Sequence, residues 1–244
     1  VINVRSFGET PETVSALIQA FLQGCQAYPV LTTAKHFPGH GDTAIDSHLD
    51  LPRIPHDRAR LEAVEWPPFR RAIEAQVSSI MTAHLALPAL DPDYPATLSP
   101  QILTGILRQE WGFEGLIVTD ALVMQAITQR YGPVEAPVLA LEAGADVVLM
   151  PVDPPAAIEG IMNAVETGRL TEARIEASFE RVWRAKQRVT EPVKMPVQPP
   201  IEIPPQTPRQ GETAPSPEPL AALATLAEPT GEALARSILS RSQW

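Results

Sequence analysis

Cysteine, basic side chains and long apolar runs are all scarce in this sequence, and each scarcity excludes a class of protein. Cys25 stands alone, so an intrachain disulfide and a cysteine-based zinc cluster are ruled out and a reducing compartment is permitted. No apolar run approaches the roughly 20 residues that cross a bilayer, and no basic-then-apolar segment opens the chain. The sequence therefore predicts a cytoplasmic protein with no membrane partner.

Acidic residues outnumber basic ones, with 29 Asp and Glu against 19 Lys and Arg and a formal net charge of −10. Nucleic acids and anionic membrane surfaces are disfavoured as partners, because binding either needs clustered Lys and Arg. The hydrophobic content of 44% is ordinary for a globular protein and allows a sizeable buried core. Composition leaves the oligomeric state open.

Helical and strand-like segments alternate along the first 190 residues. Apolar periodicity bounded by Thr, Ser, Pro and Gly predicts helices over residues 10–24, 68–76, 99–112, 133–143, 155–167 and 171–189. Short runs between them predict strands over residues 29–37, 78–84, 115–120 and 146–150. Strands joined by helical crossovers imply an α/β fold with a parallel sheet.

The ends of the predicted strands separate two parallel folds. A doubly wound sheet usually carries a glycine-rich phosphate turn after its first strand, and the sequence has none at the usual spacing. Three strands instead end in ionisable side chains, namely Lys35 with His36, then His84, then Asp120. Catalytic groups at the carboxyl ends of several strands are typical of a (β/α)8 barrel. We therefore predict that residues 1–190 form the C-terminal half of a TIM-type barrel whose earlier strands lie outside this chain.

Proline dominates the next stretch, residues 191–219, which has almost no hydrophobic periodicity. Such a composition is typical of an extended linker. The last segment, residues 220–244, contains one short amphipathic pattern that is too small to bury a core alone. We interpret it as the start of a truncated second domain, which implies a longer, two-domain protein.

The densest polar cluster runs from Lys35 to His48 as KHFPGHGDTAIDSH. A metal centre of His36, His40 and His48 is one interpretation, although Pro38 and the glycines break the helix that would align the first two. A structural loop whose histidines satisfy backbone groups is a second interpretation. The third is glycoside hydrolysis, which needs a carboxylate on one side of the sugar and a proton donor on the other.

Asp120 and His48 have the side chains for that chemistry. Asp120 ends the apolar strand GLIVTD, where a carboxylate costs desolvation unless it is used, although a helix N-cap is an alternative role. The His48 imidazole titrates near neutrality, and Asp46 two residues earlier is placed to hold its tautomer. His84 is either a residue beneath the site or a core histidine with satisfied hydrogen bonds.

Five segments together resemble one enzyme family. They are VINVRSFGE, AKHFPGHGDTAIDSHLDLPRI, PFRRAI, IMTAHL and GLIVTDALVM, in this order along the chain. The set resembles the bacterial β-N-acetylglucosaminidases of glycoside hydrolase family 3, the type that recycles cell wall, and KHFPGHG with DSH is its most specific part. In the broader β-glucosidases of that family the DSH loop is absent and a second domain supplies the proton.

The resemblance implies retaining hydrolysis of terminal β-linked N-acetylglucosamine (GlcNAc) in muropeptides or related peptidoglycan-derived glycans, with no metal or organic cofactor. Position by position, it implies that Asp120 is the nucleophile that forms a covalent glycosyl intermediate. It also implies that His48, paired with Asp46, is the general acid/base. Hydroxyls of the sugar would be bound by Arg5, Lys35 and His36.

The resemblance is incomplete in two places. The sugar-recognising Asp and Arg that the family carries on earlier barrel strands have no counterpart in this chain, and Ala121 stands where many relatives have a second acid. A catalytically incomplete carbohydrate-binding remnant, or another family 3 β-glycosidase, is therefore the alternative function.

Overall fold

The computed structural model describes residues 6–43 and 50–190. The predicted linker (191–219) and second-domain segment (220–244) lie outside the described residues and stay predictions.

Three strands form a parallel sheet in the described part of the chain. They are β1 (Thr33–Phe37), β2 (Ser79–Thr82) and β3 (Leu116–Val118), in the spatial order β1-β2-β3. Ala34 pairs with Ile80, which in turn pairs with Ile117. The β1–β2 register shifts after Ala34, so that Phe37 pairs with Thr82. Beyond β3, Val147 makes a single parallel bridge to Val118. The predicted parallel α/β sheet is confirmed.

Helices connect these strands. The helix α1 (Pro11–Gln26) precedes β1, and α2 (Arg58–Arg60), a π-helical turn (Leu61–Glu65) and α3 (Pro67–Glu74) lie between β1 and β2. The β2–β3 connection carries a 3-10 turn (Ala96–Leu98) and a π-type helix (Gln101–Glu110). After β3 come α4 (Gln125–Thr128), α5 (Glu135–Ala143), α6 (Pro154–Glu166) and α7 (Glu172–Thr190). None of the helices within residues 6–43 and 50–190 is long and apolar enough to cross a bilayer.

Local side-chain chemistry sets several helix ends. The Thr10 hydroxyl accepts the backbone N–H of Thr13 at 3.3 Å and so caps α1. In the same way the Ser99 hydroxyl accepts the N–H of Ile102 at 3.1 Å at the start of the helix Gln101–Glu110. Gly144 follows α5 with φ at 124°, a conformation that favours glycine. These caps are the ones that the sequence predicted.

Two predicted boundaries differ from the structure. The helix α1 continues past Gly24 to Gln26, because Gly24 does not adopt the left-handed conformation that ends a helix. The strand predicted over residues 146–150 is reduced to the bridge at Val147, since side chains replace ladder bonds on both sides of it. The Asp146 carboxylate accepts the Ile117 N–H at 2.9 Å, and the Thr119 hydroxyl accepts the Leu149 N–H at 2.9 Å.

The main core lies between the helices and one face of the sheet. On that face Ile80 and Ile117 are fully buried. The opposite face is more open: Met81 and Val118 are half-buried, and Lys35 is exposed. Because side chains alternate along a strand, these three residues lie on the face opposite the main core.

Candidate active site

The carboxyl edge of the sheet gathers the polar side chains that end or follow the strands. Because the strands are parallel, His36, His84 and Asp120 reach the same edge. His36 Nε2 lies 3.6 Å from Asp120 Oδ2. Two residues that are 84 positions apart in the sequence are therefore neighbours in space, while their functional roles stay predictions.

Asp120 presents its two carboxylate oxygens to different partners. Oδ1 accepts the backbone N–H of Ala121 at 2.8 Å, and Oδ2 faces the His36 imidazole. The side chain is 17% exposed, so solvent reaches it, and its Oδ1 is held by a hydrogen bond. Asp120 is not a helix N-cap, because α4 begins at Gln125 and its capping position is Met124. A strand-end carboxylate with no capping duty is available for chemistry.

The chain after β1 turns sharply beside this carboxylate. The N–H of Gly39 donates to the carbonyl of His36 at 2.9 Å, and the rings of His36 and His40 meet edge to face with centroids 5.8 Å apart. His40 Nδ1 lies 2.9 Å from the Thr43 hydroxyl. Gly39 has φ at 133°, and a Cβ there would come within 2.7 Å of Glu65 Cβ. Only glycine fits this turn.

The two predicted sugar-binding residues of β1 differ in exposure. Lys35 is exposed on the open face of the sheet, whereas the side chain of His36 is only 9% exposed. A lysine ammonium in that position has three donors to offer to hydroxyl oxygens, and His36 offers one ring nitrogen beside Asp120. The arrangement is suited to an uncharged polyol ligand held next to a carboxylate.

Three of the predicted site residues lie outside the described residues, namely Arg5, Asp46 and His48. The described chain on both sides of residues 44–49 is tied to neighbouring elements. Before them, Asp42 Oδ2 lies 2.8 Å from His56 Nε2, and after them, Asp50 Oδ1 lies 3.6 Å from Arg130 Nη2.

His84 is fully buried under the same edge. Its Nδ1 lies 2.8 Å from the hydroxyl of Thr97, and its Nε2 lies 3.0 Å from the carbonyl oxygen of Ala121. His84 is therefore a core histidine with hydrogen-bond partners, and one of them belongs to the residue after Asp120. A position beneath a catalytic site stays a prediction. Thr97 was missed by the sequence analysis, because a lone threonine in an irregular connection carries no pattern.

No group of three or more His, Cys, Asp or Glu side chains in the described part of the chain is arranged to hold a metal ion. The metal interpretation also required His48, which lies outside that part. Among the described groups the chemistry on offer is that of a carboxylate flanked by hydrogen-bond donors. This arrangement suits nucleophilic attack or stabilisation of a developing positive charge.

Sequence comparison identifies the family of the chain. The profile of the glycosyl hydrolase family 3 N terminal domain matches residues 1–185. The chain belongs to glycoside hydrolase family 3. The predicted family is thereby confirmed, and the fold is that of the family 3 N-terminal domain, with helices around a parallel sheet.

The family 3 chain has relatives with hexosaminidase names. It is 39% identical over 211 residues to "Beta-hexosaminidase A" of Pseudoalteromonas piscicida, covering 76% of this chain and 35% of that protein. It is 38% identical over 181 residues to a "Beta-hexosaminidase" of Nitrosomonas eutropha, covering 71% and 51%. The solved structure of a glycoside hydrolase family 3 beta-N-acetylglucosaminidase from Paenibacillus sp. shares 43% identity with a TM-score of 0.76, covering 89% and 40%. The chain thus spans between about a third and a half of the length of these relatives.

Proposed function

We propose that the protein containing this chain is a retaining β-N-acetylhexosaminidase that removes terminal β-linked GlcNAc from glycans. The observation that carries the proposal is the Asp120 carboxylate at the carboxyl edge, with Oδ1 held by the Ala121 N–H and Oδ2 beside His36. The names of the relatives supply the sugar. Muropeptides and other peptidoglycan fragments, met in the cytoplasm, are the proposed natural source of that sugar.

The proposed reaction has two steps. In the first, Asp120 Oδ2 attacks the anomeric carbon while the bond to the leaving oxygen breaks, and His48, oriented by Asp46, gives that oxygen a proton. In the second, His48 takes a proton from water, whose oxygen attacks the anomeric carbon and releases Asp120 as a carboxylate. Two inversions at the anomeric carbon retain its configuration. No metal or organic cofactor takes part.

Recognition of the sugar is assigned to donors around the nucleophile. Lys35 stands on the open face, and His36 stands within 3.6 Å of Asp120. Both are placed to donate to ring hydroxyls, and Arg5 completes the proposed set. A donor that is shielded from solvent, as His36 is, contributes most when charge develops in the transition state.

We also propose that the sheet is half of a (β/α)8 barrel. Its support is the parallel order β1-β2-β3 with the added bridge at Val147, the half-buried side chains of Met81 and Val118 on one face, and the coverage of only 35% and 40% of two relatives. A barrel interior is filled by side chains from all strands, so three strands and one bridged segment would leave that face open. The proline-rich residues 191–219 are the proposed linker to a further domain.

The test is hydrolysis of 4-nitrophenyl β-GlcNAc by the longest protein that contains this chain, with and without EDTA. We expect saturable, EDTA-insensitive turnover, loss of at least about a thousandfold in kcat for Asp120→Ala, and a covalent adduct on the Asp120 peptide with a slow 5-fluoro-GlcNAc fluoride substrate. The matched control is Asp93→Ala, which removes an exposed carboxylate from the β2–β3 connection. Turnover by Asp120→Ala at the wild-type rate would contradict the assignment, and binding of GlcNAc without turnover would favour the carbohydrate-binding alternative.

A further inference from the structure

The residue after the proposed nucleophile is held at both of its peptide groups. The N–H of Ala121 donates to Asp120 Oδ1 at 2.8 Å. The carbonyl oxygen of Ala121 accepts from the N–H of Met124 at 3.1 Å and lies 3.0 Å from His84 Nε2. The orientation of the Asp120 carboxylate therefore depends on where Ala121 is held, and His84 is one of the groups that hold it.

The hydrogen-bond partners of His84 define the protonation of one ring nitrogen. A carbonyl oxygen can only accept, so Nε2 must carry the proton that goes to Ala121. The other nitrogen meets the Thr97 hydroxyl, which is itself fixed by the carbonyl of Ala83 and the hydroxyl of Thr82, each at 2.9 Å. Whether Thr97 gives its proton to Nδ1 or to Ala83, the proton on Nε2 is required.

The contact between His84 and Ala121 lies just beyond the paired residues of β2 and β3. The strands β2 and β3 pair Ser79 with Leu116 and Met81 with Val118, and the same register extended along both chains sets His84 opposite Ala121. The backbone ladder ends before this level. The His84 side chain supplies a cross-strand bond where the backbone no longer does, so the chain that carries Asp120 stays fixed to its neighbour.

We propose that His84 is a positioning residue for the nucleophile. By donating from Nε2 to the Ala121 carbonyl, it fixes Ala121 so that its N–H holds Asp120 Oδ1 and leaves Oδ2 directed toward the anomeric carbon. His84 is fully buried and so does not touch the sugar itself. The proposal rests on the proposed function, because it concerns the orientation of the same carboxylate.

The variants His84→Gln and His84→Leu separate this role from packing. A glutamine amide offers a donor to Ala121 and an acceptor to Thr97, whereas leucine offers neither. We expect His84→Leu to lower kcat on 4-nitrophenyl β-GlcNAc by about 10- to 100-fold with KM changed by less than about threefold, because a displaced catalytic group costs rate rather than affinity. We expect His84→Gln to recover kcat to within about fivefold of wild type.

Ser99→Ala is the matched control for loss of a buried hydrogen bond. Ser99 is fully buried, accepts from the Ile102 N–H at the start of the helix Gln101–Glu110 and donates to Asp91 at 2.5 Å. Neither of these bonds reaches the segment that carries Asp120. Its replacement should lower the unfolding midpoint as His84→Leu does and leave kcat unchanged. Equal kcat loss in Ser99→Ala and His84→Leu, or no recovery by His84→Gln, would overturn the positioning role.

A spectroscopic measurement separates this proposal from the function on which it rests. In protein with 15N-labelled histidine, the Nε2 of His84 should be protonated and exchange slowly, and the carbonyl 13C shift of Ala121 should move in His84→Leu but not in Ser99→Ala. A protein that shows these signals but does not hydrolyse the substrate would refute the hydrolase assignment and leave the hydrogen bond from His84 to Ala121 intact. A wild-type His84 with an unprotonated Nε2 would refute the positioning role, whatever the activity.

Discussion

Two aspartates stand at opposite ends of the same sheet and have very different surroundings. Asp120 follows β3 at the carboxyl edge, is 17% exposed and lies next to the Ala121 N–H and the His36 imidazole. Asp146 lies beside the start of β3, and its side chain is fully buried. Parallel strands place these two carboxylates at the carboxyl and amino ends of the sheet, and their surroundings differ accordingly.

The Asp146 carboxylate is saturated with donors. Oδ2 accepts from Arg108 Nη2 and from the Ile117 N–H, and Oδ1 accepts from the Ser178 hydroxyl at 2.7 Å and from Arg181 Nη1 at 3.1 Å. Burial lowers the pKa of the Arg108 guanidinium to about 10, although Asp146 works in the opposite direction, so Arg108 remains a cation at neutral pH. A carboxylate with every lone pair engaged has no oxygen left for a substrate.

The difference shows what a catalytic carboxylate requires in this fold. Asp146 connects β3 to the segment around Val147 and to α7, so it contributes to the stability of the fold. Asp120 keeps one oxygen in reach of a ligand because only the other is fixed by the backbone. The candidate nucleophile is distinguished from Asp146 by having fewer hydrogen-bond donors on its carboxylate oxygens.

The largest expected effect is that of Asp146→Ala on stability. Removal of this carboxylate leaves Arg108 and Arg181 without their buried counter-charge, which costs about 3–5 kcal/mol in comparable sites and approaches the whole stability of a domain. We expect the urea midpoint to collapse, or the protein to be recovered unfolded. Asp146→Asn, which keeps an acceptor oxygen, should lie between Ala and wild type.

The comparison supplies its own control for that prediction. Asp120→Ala removes a carboxylate from the other end of the sheet and should change the free energy of unfolding by less than about 1 kcal/mol. The contrast between the two edges would be lost if both alanine variants had the same urea midpoint.

The carboxyl edge was the more predictable of the two from sequence. Strand-end residues such as His36 and Asp120 stand out because an ionisable group after an apolar run is costly unless it is used. The parallel sheet and the helix caps at Thr10 and Ser99 followed from periodicity and capping rules in the same way.

The amino edge and the support beneath the site were not predictable in this way. Asp146 accepts hydrogen bonds from Arg108, Ser178 and Arg181, which lie 38, 32 and 35 positions away in the sequence, respectively. Single-sequence patterns carry no signal for such contacts, because each is set by the packing of α7 and of the helix Gln101–Glu110 against the sheet. The contact of His84 with Ala121 is hidden for the same reason. The strand at residues 146–150 is shorter than predicted because side-chain bonds to Asp146 and Thr119 replace ladder bonds there.

A glycine pair tests how tightly the carboxyl edge is built. Gly39 has φ at 133° with Glu65 Cβ within 2.7 Å of where its own Cβ would stand, whereas a Cβ at Gly41 meets nothing within 4 Å. We expect Gly39→Ala to cost about 1–3 kcal/mol in urea unfolding, from backbone strain and the contact together, and Gly41→Ala to stay within about 0.5 kcal/mol of wild type. Equal urea midpoints for the two variants would show that the backbone of the turn after β1 can rearrange to accept a Cβ at Gly39.

The smallest expected change in the free energy of unfolding is that of replacing Arg169, whose ion pairs with Glu135 and Glu142 are partly exposed. Its guanidinium bonds Glu135 at 2.5 and 2.9 Å and Glu142 at 2.7 and 2.9 Å, yet Glu135 and Arg169 are 46% and 39% exposed. Solvent screens such pairs, so Arg169→Ala should cost at most about 1 kcal/mol at pH 7, far less than Asp146→Ala.

The pH dependence of that cost follows from the direction of one pKa shift. The hydrogen bond from Arg169 lowers the pKa of Glu135 below its usual 4.5, so the folded state holds the ionised carboxyl more firmly than the unfolded chain does. The stabilisation is complete above about pH 4.5 and is lost as the pH falls through the folded value. Urea midpoints of wild type and Arg169→Ala should therefore converge between pH 7 and pH 3, and 1 M salt at pH 7 should also narrow the gap. A gap that is unchanged by both acid and salt would mean that Arg169 stabilises α5 by packing of its aliphatic stem and not through charge.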